Sequence, residues 1–100
     1  TSMLTNTGIR EQVQEEICKF AAKYQLEQVI LFGSRARGDF SRTSDIDLAV
    51  RGGNIVRFAV DVDEETSTLL KYDVVDLSHT VSPQLLRAIE AEGRVLYEKI

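Results

Sequence analysis

The chain has 100 residues, 12 Lys and Arg against 16 Asp and Glu, a formal charge of −4 and an apolar fraction of 43%. That length supports one domain with one core, and the apolar share excludes a disordered chain. No apolar run approaches the roughly 20 residues of a membrane helix, no signal-type segment opens the chain, and the acidic balance argues against a broad nucleic-acid surface. Cys18 is the one cysteine, which leaves no intrachain disulfide or multi-cysteine zinc site and fits a reducing cytoplasm.

Residues 1–7 carry no periodic pattern and are expected to form a flexible N-terminus. In residues 11–24, Val13, Ile17, Phe20, Ala21 and Tyr24 recur at helical spacing, with Ile9 one turn earlier. Cys18 lies beside that stripe as a small packing residue. Gln28–Phe32 is a short β-branched apolar run that stops at Gly33, the mark of a buried strand. Residues 34–44 are polar and rich in Gly, Arg and Ser, hence a loop with room for one helical turn. Residues 45–51 alternate acid and apolar side chains before Gly52-Gly53, giving a second strand.

Asn54 caps a second helix whose buried stripe is Ile55, Phe58, Ala59, Val62 and Leu69, while Asp61, Asp63, Glu64 and Glu65 form a solvated face. Residues 72–77 read as a third strand. Ser82-Pro83 is an N-cap followed by proline at the first helical position, with Leu85, Leu86 and Ile89 inward and Gly93 at the end. Residues 94–99 form a last, short edge strand. The order is α-β-loop-β-α-β-α-β, an α/β fold with a small mixed sheet of four strands flanked by helices. A connection of eleven residues, 34–44, is short for a crossover, so the first two strands run antiparallel. Residues 52–71 have room for a helical crossover, so the second and third run parallel.

This topology brings Gly33-Ser34, Asp45, Asp47 and Asp73 to one edge of the sheet. Asp45 and Asp47, two apart on a strand, share a face. Asp73 joins them if its strand presents it there, whereas Asp76, three further on, faces the other way and is the competing candidate. Clustered carboxylates repel one another unless a hard cation such as Mg²⁺ offsets the charge, and two such ions bridged by carboxylates suit phosphoryl transfer. Gly33-Ser34 complements them, because glycine lets backbone amides approach a phosphate and serine adds a hydroxyl. Arg35, Arg37 and Arg42 against Asp39 make the loop cationic, which suits a nucleotide phosphate, and Arg35 or Arg37 is expected to touch it. His79 stands alone in a Ser/Thr loop as a surface residue, and Tyr24, Tyr72 and Tyr97 read as packing.

Gly33-Ser34, ten intervening residues and Asp45-Ile46-Asp47 resemble the Gly-Ser-x10-Asp-x-Asp signature of the DNA polymerase β-like nucleotidyltransferase superfamily. The strings LFGSRARG, SDIDLAV and YDVVDL are similar to its minimal nucleotidyltransferase (MNT) members over essentially the whole chain. The resemblance implies one nucleotidyltransferase domain over residues 1–100, with Gly33 and Ser34 at the triphosphate, Asp45 and Asp47 on the metals, and Asp73 completing the triad. It also implies ATP as substrate, two Mg²⁺ ions (or Mn²⁺), and AMP transfer to a tyrosine of a HEPN-domain ribonuclease toxin for which the chain is the antitoxin. A chain this short holds no acceptor pocket of its own, so the acceptor surface is expected on a partner or a second copy. The competing expectation is a non-catalytic antitoxin that neutralises the toxin by complex formation. A nucleic-acid polymerase or an antibiotic-modifying enzyme fits an acidic chain less well.

Overall fold

The computed structural model describes residues 4–79 and 81–99. The elements follow in the order α1 (Glu11–Lys23), β1 (Gln28–Phe32), α2 (Ser34–Arg37), β2 (Ile46–Arg51), α3 (Ile55–Glu65), β3 (Tyr72–Asp76), α4 (Pro83–Glu92) and β4 (Arg94–Glu98). The strands form a mixed sheet in the order β3-β2-β1-β4. β1 is antiparallel to both β2 and β4, and β2 is parallel to β3, as connection length predicts. No described helix is long and apolar enough to cross a membrane.

Strand alternation divides the core between the two faces of the sheet. Val29 and Leu31 of β1 and Ile46, Leu48 and Val50 of β2 face α1 and α3, where Val13, Ile17, Ala21, Phe58 and Val62 meet them. Phe58 is fully buried there, a burial that contributes roughly 1.5–3 kcal/mol. The opposite face is covered more thinly: Phe32 and Ala49 pack against Ile89 of α4, with Ile30, Val75, Leu77 and Leu85 partly buried around them. The acids of the predicted site belong to this second face, since Asp47 is two residues before Ala49 and Asp73 two before Val75.

The helix ends match the capping chemistry. Asn54 Oδ1 accepts from the Arg57 amide at 3.3 Å, and Ser82 Oγ accepts from the Leu85 amide at 3.2 Å, with Pro83 at the start of α4. Tyr24 donates its hydroxyl to Asp61, tying α1 to α3 and taking Asp61 out of the solvated face assigned to it. Leu69, expected in the buried stripe of the second helix, lies beyond the end of α3 and is fully exposed. The helix terminates at Thr66, whose hydroxyl donates to the Val62 carbonyl at 2.6 Å.

At the N-terminus, residues 1–3 of the expected flexible segment lie outside the described residues. Leu4 exchanges two hydrogen bonds with the buried Gln14 side chain, at 2.9 and 3.1 Å, and Thr7 is itself buried. Periodicity gave no warning of this, because the partner of the segment is a polar side chain on the apolar face of α1.

Candidate active site

Gly33 ends β1 with φ 76° and ψ −158°, a conformation open essentially to glycine alone. Chain reversal there starts the single turn α2, in which the Ala36 and Arg37 amides donate to the Gly33 carbonyl at 3.1 Å and the Gly38 amide donates to that of Ser34 at 2.9 Å. A side chain on Gly33 would collide with Oδ2 of Asp47, so the Asp47 carboxylate lies directly against the Gly33 backbone. Among the described residues nothing bonds the half-buried Ser34 hydroxyl, which leaves it available to a ligand.

The pairing registers gather the acids. Asp47 stands opposite Phe32 on β1, next to Gly33, and opposite Asp73 on β3. Directly paired residues of neighbouring strands share a face, so Asp47 and Asp73 project together. Asp45 lies two residues upstream, just ahead of β2. Asp45 and Asp73 are exposed and Asp47 is half-buried. Burial pushes the Asp47 carboxyl above its ordinary value, and the charges of Asp73 and Asp45 push it the same way, with Arg37 and Arg35 opposing them. This is the mutual repulsion expected of a carboxylate cluster.

Asp76 does not join them. It sits at the far end of β3 opposite Val50, where it accepts from the Ser78 amide at 2.8 Å and pairs with His79 at 3.2 Å. His79 is exposed at that same far end.

The arginines separate into two environments. Arg37 is exposed, and its guanidinium is bound to Glu92 at 2.7 Å and Asp39 at 3.2 Å, contacts that raise its pKa in that order. Its charge also acts on Asp47, opposing the rise of that carboxyl. Arg35, also expected at the triphosphate, is instead 1% exposed. Its Nε donates to the Ser44 carbonyl at 3.0 Å, its Nη1 donates to the Thr7 carbonyl at 2.9 Å, and it stacks on Phe40 at 5.0 Å from the ring centre. Even amphipathic spacing could not have separated Arg35 from Arg37, because the turn that distinguishes them is only four residues long. The signal in the sequence was Phe40, a large apolar residue in an otherwise polar loop. Glu92, which reaches the loop from the end of α4, had no local signal at all.

A glycine turn beside a carboxylate cluster suits a phosphate ester with a divalent cation. Among the described residues, no three His, Cys, Asp or Glu side chains are gathered tightly enough to hold an ion by themselves. Mg²⁺ is usually bound by one or two carboxylates together with substrate phosphates and water rather than by an all-protein cage. The Asp47 carboxyl, raised by burial and by the charges of Asp73 and Asp45, is a group that such an ion would relieve. Asp45, Asp47 and Asp73 would hold it.

Comparison with known proteins decides the family. Residues 15–100 match the model described as polymerase β, nucleotidyltransferase. The chain belongs to the polymerase β nucleotidyltransferase family. A protein of Methanocaldococcus jannaschii, provisionally named a protein adenylyltransferase, is 38% identical over 96 residues, covering 85% of this chain and 94% of its own length. Among solved structures, a toxin–antitoxin crystallised with AMP-PNP superposes with a TM-score of 0.69 at 28% identity, covering 86% of this nucleotidyltransferase and 73% of that chain. A mutant of the toxin–antitoxin MntA–HpeT gives a TM-score of 0.68 at 26% identity over the same shares. The fold expected from the sequence, a four-stranded mixed sheet with flanking helices, is thus that of its structural neighbours. The chain is an enzyme of the nucleotidyltransferase class.

Proposed function

We propose that this nucleotidyltransferase transfers AMP from ATP, with Mg²⁺, to a tyrosine hydroxyl of a partner HEPN-domain ribonuclease toxin, and so acts as its antitoxin. The observation that carries this reading is the meeting of the Gly33-Ser34 turn with Asp47 and Asp73 at one end of the sheet, with Asp45 close enough for its charge to act on Asp47. The relative named as a protein adenylyltransferase and the toxin–antitoxin bound to AMP-PNP support it.

In this reading the Gly33 backbone and the Ser34 hydroxyl hold the triphosphate, and Arg37 leaves Glu92 and Asp39 to meet its negative charge. The bound cation supplies charge neutralisation for the triphosphate and the carboxylates. Asp73, exposed at the edge strand β3, faces the side from which a protein acceptor arrives and takes the proton of its hydroxyl. The acceptor oxygen bonds to the α-phosphorus in line with the departing oxygen, the bond from that phosphorus to the β-phosphate oxygen breaks, and pyrophosphate leaves. No protein nucleophile is required.

The test is incubation with ATP labelled at the α-phosphate, Mg²⁺ and the toxin. Label should move to the toxin and vanish in Asp45→Asn and Asp47→Asn, along with neutralisation. Neutralisation that survives both substitutions without labelling would establish the competing role, a stoichiometric antitoxin.

A further inference from the structure

Arg35 is the largest fully buried side chain and, among the described residues, the one charged group in the interior. Taking a guanidinium out of water costs several kcal/mol. Among the described residues no carboxylate lies within ion-pair distance of it. Two backbone carbonyls and an aromatic face, contributed by two separate stretches of chain, offset the cost, together with the charges of Asp45 and Asp47. Thr7 belongs to the segment ahead of α1, Phe40 to the middle of the loop, and Ser44 to its end.

The placement of these contacts is specific. Arg35 follows Ser34 directly in α2, and the Ser44 carbonyl belongs to the peptide unit that delivers the Asp45 amide. One rigid plane therefore connects the start of the loop to its end, and Thr7 fixes the plane from behind. Gly8 closes the arrangement: with φ 70°, a side chain there would overlap the Phe40 ring and lie 2.7 Å from Arg35 Nη1.

We propose that Arg35 is a positioning residue, a clamp between Thr7, Phe40 and Ser44 that sets the separation of the Gly33-Ser34 turn from Asp45. It thereby aligns the phosphate-binding and cation-binding halves of the site without touching the nucleotide. The inference rests on the functional reading above for what is aligned, but not for the clamp itself. It also assigns a task to residues 7 and 8, which lie outside the family's signature.

Arg35→Lys separates geometry from charge. Lysine keeps the positive charge near Asp45 and Asp47 but offers a single nitrogen where two nitrogens of a rigid fork now serve two carbonyls. The clamp predicts that Arg35→Lys still melts cooperatively yet binds Mn²⁺ with ATP about tenfold more weakly. Gly8→Ala, which alters no residue of the site, should weaken that binding in the same direction. Affinity unchanged in folded Arg35→Lys would show that only the charge matters and overturn the proposal. Should Arg35→Lys fail to fold, a folded Gly8→Ala with unchanged affinity overturns it equally. If the wild-type protein takes up no Mn²⁺ with ATP, the functional reading fails and amide hydrogen exchange decides the clamp separately. Faster exchange across residues 34–45 in either variant upholds it, and unchanged exchange refutes it.

Discussion

Replacing Gly33 with alanine tests the centre of the site, because two independent costs coincide at one atom. The backbone conformation, φ 76° and ψ −158°, is a region in which a side chain costs on the order of 1–3 kcal/mol. The added methyl would also strike Asp47 Oδ2 and stand 3.1 Å from its Cγ. Displacing a half-buried carboxylate that already faces two like charges adds roughly 1–2 kcal/mol of overpacking. Together they amount to about 3 kcal/mol, which for a chain of this length lowers Tm by roughly 12–24 °C.

Gly38 is the internal control. Its φ is 91°, yet nothing lies within 4 Å of where its side chain would begin. Gly38→Ala therefore carries strain without collision, about 1–2 kcal/mol. Thermal melts followed by circular dichroism should rank wild type above Gly38→Ala and that above Gly33→Ala. Titration with Mn²⁺ and ATP should show Gly33→Ala weakened by about tenfold or more and Gly38→Ala by less than about threefold. A Gly33→Ala protein that melts no lower than Gly38→Ala would refute the contact between Asp47 and the Gly33 backbone.

Asp47 provides a test by pH. Its folded pKa is raised, so the folded state favours its protonated form; the stabilisation is present below the unfolded value and lost as pH rises through the folded one. Without metal, Asp47→Asn should therefore melt higher than wild type at pH 7, and the two should converge on acidification to about pH 3. A wild type that is the more stable at pH 7 would remove the repulsion from the account. Asp76→Asn should keep full transferase activity and stability within about 0.5 kcal/mol, because Oδ1 can still accept from the Ser78 amide. Loss of activity in that variant would place the third acid at the wrong end of β3.

Most of the candidate site was legible because its residues lie in short strings. The spacing from Gly33 to Asp45 and Asp47 lies within one connection, and the two-residue period of a strand puts Asp45 and Asp47 on one side whatever surrounds them. Connection length alone gave the antiparallel and parallel pairings, since eleven residues leave little room for a crossover. The choice of Asp73 over Asp76 needed the register of β2 against β3, a contact between residues 26 apart in sequence.

The arginines show where local information stops. Arg35 and Arg37 are two residues apart in one polar loop, with identical chemistry and no pattern to tell them apart. The first is enclosed by Thr7, Phe40 and Ser44, whereas the second extends to Asp39 and Glu92 at the surface. The sequence by itself determined the element order, the position of the Gly33-Ser34 turn and the spacing of Asp45 from Asp47, because these follow from residue type and short-range period. The tertiary structure decided which arginine is buried and which is exposed, because burial of a side chain depends on segments distant in the chain that pack over it.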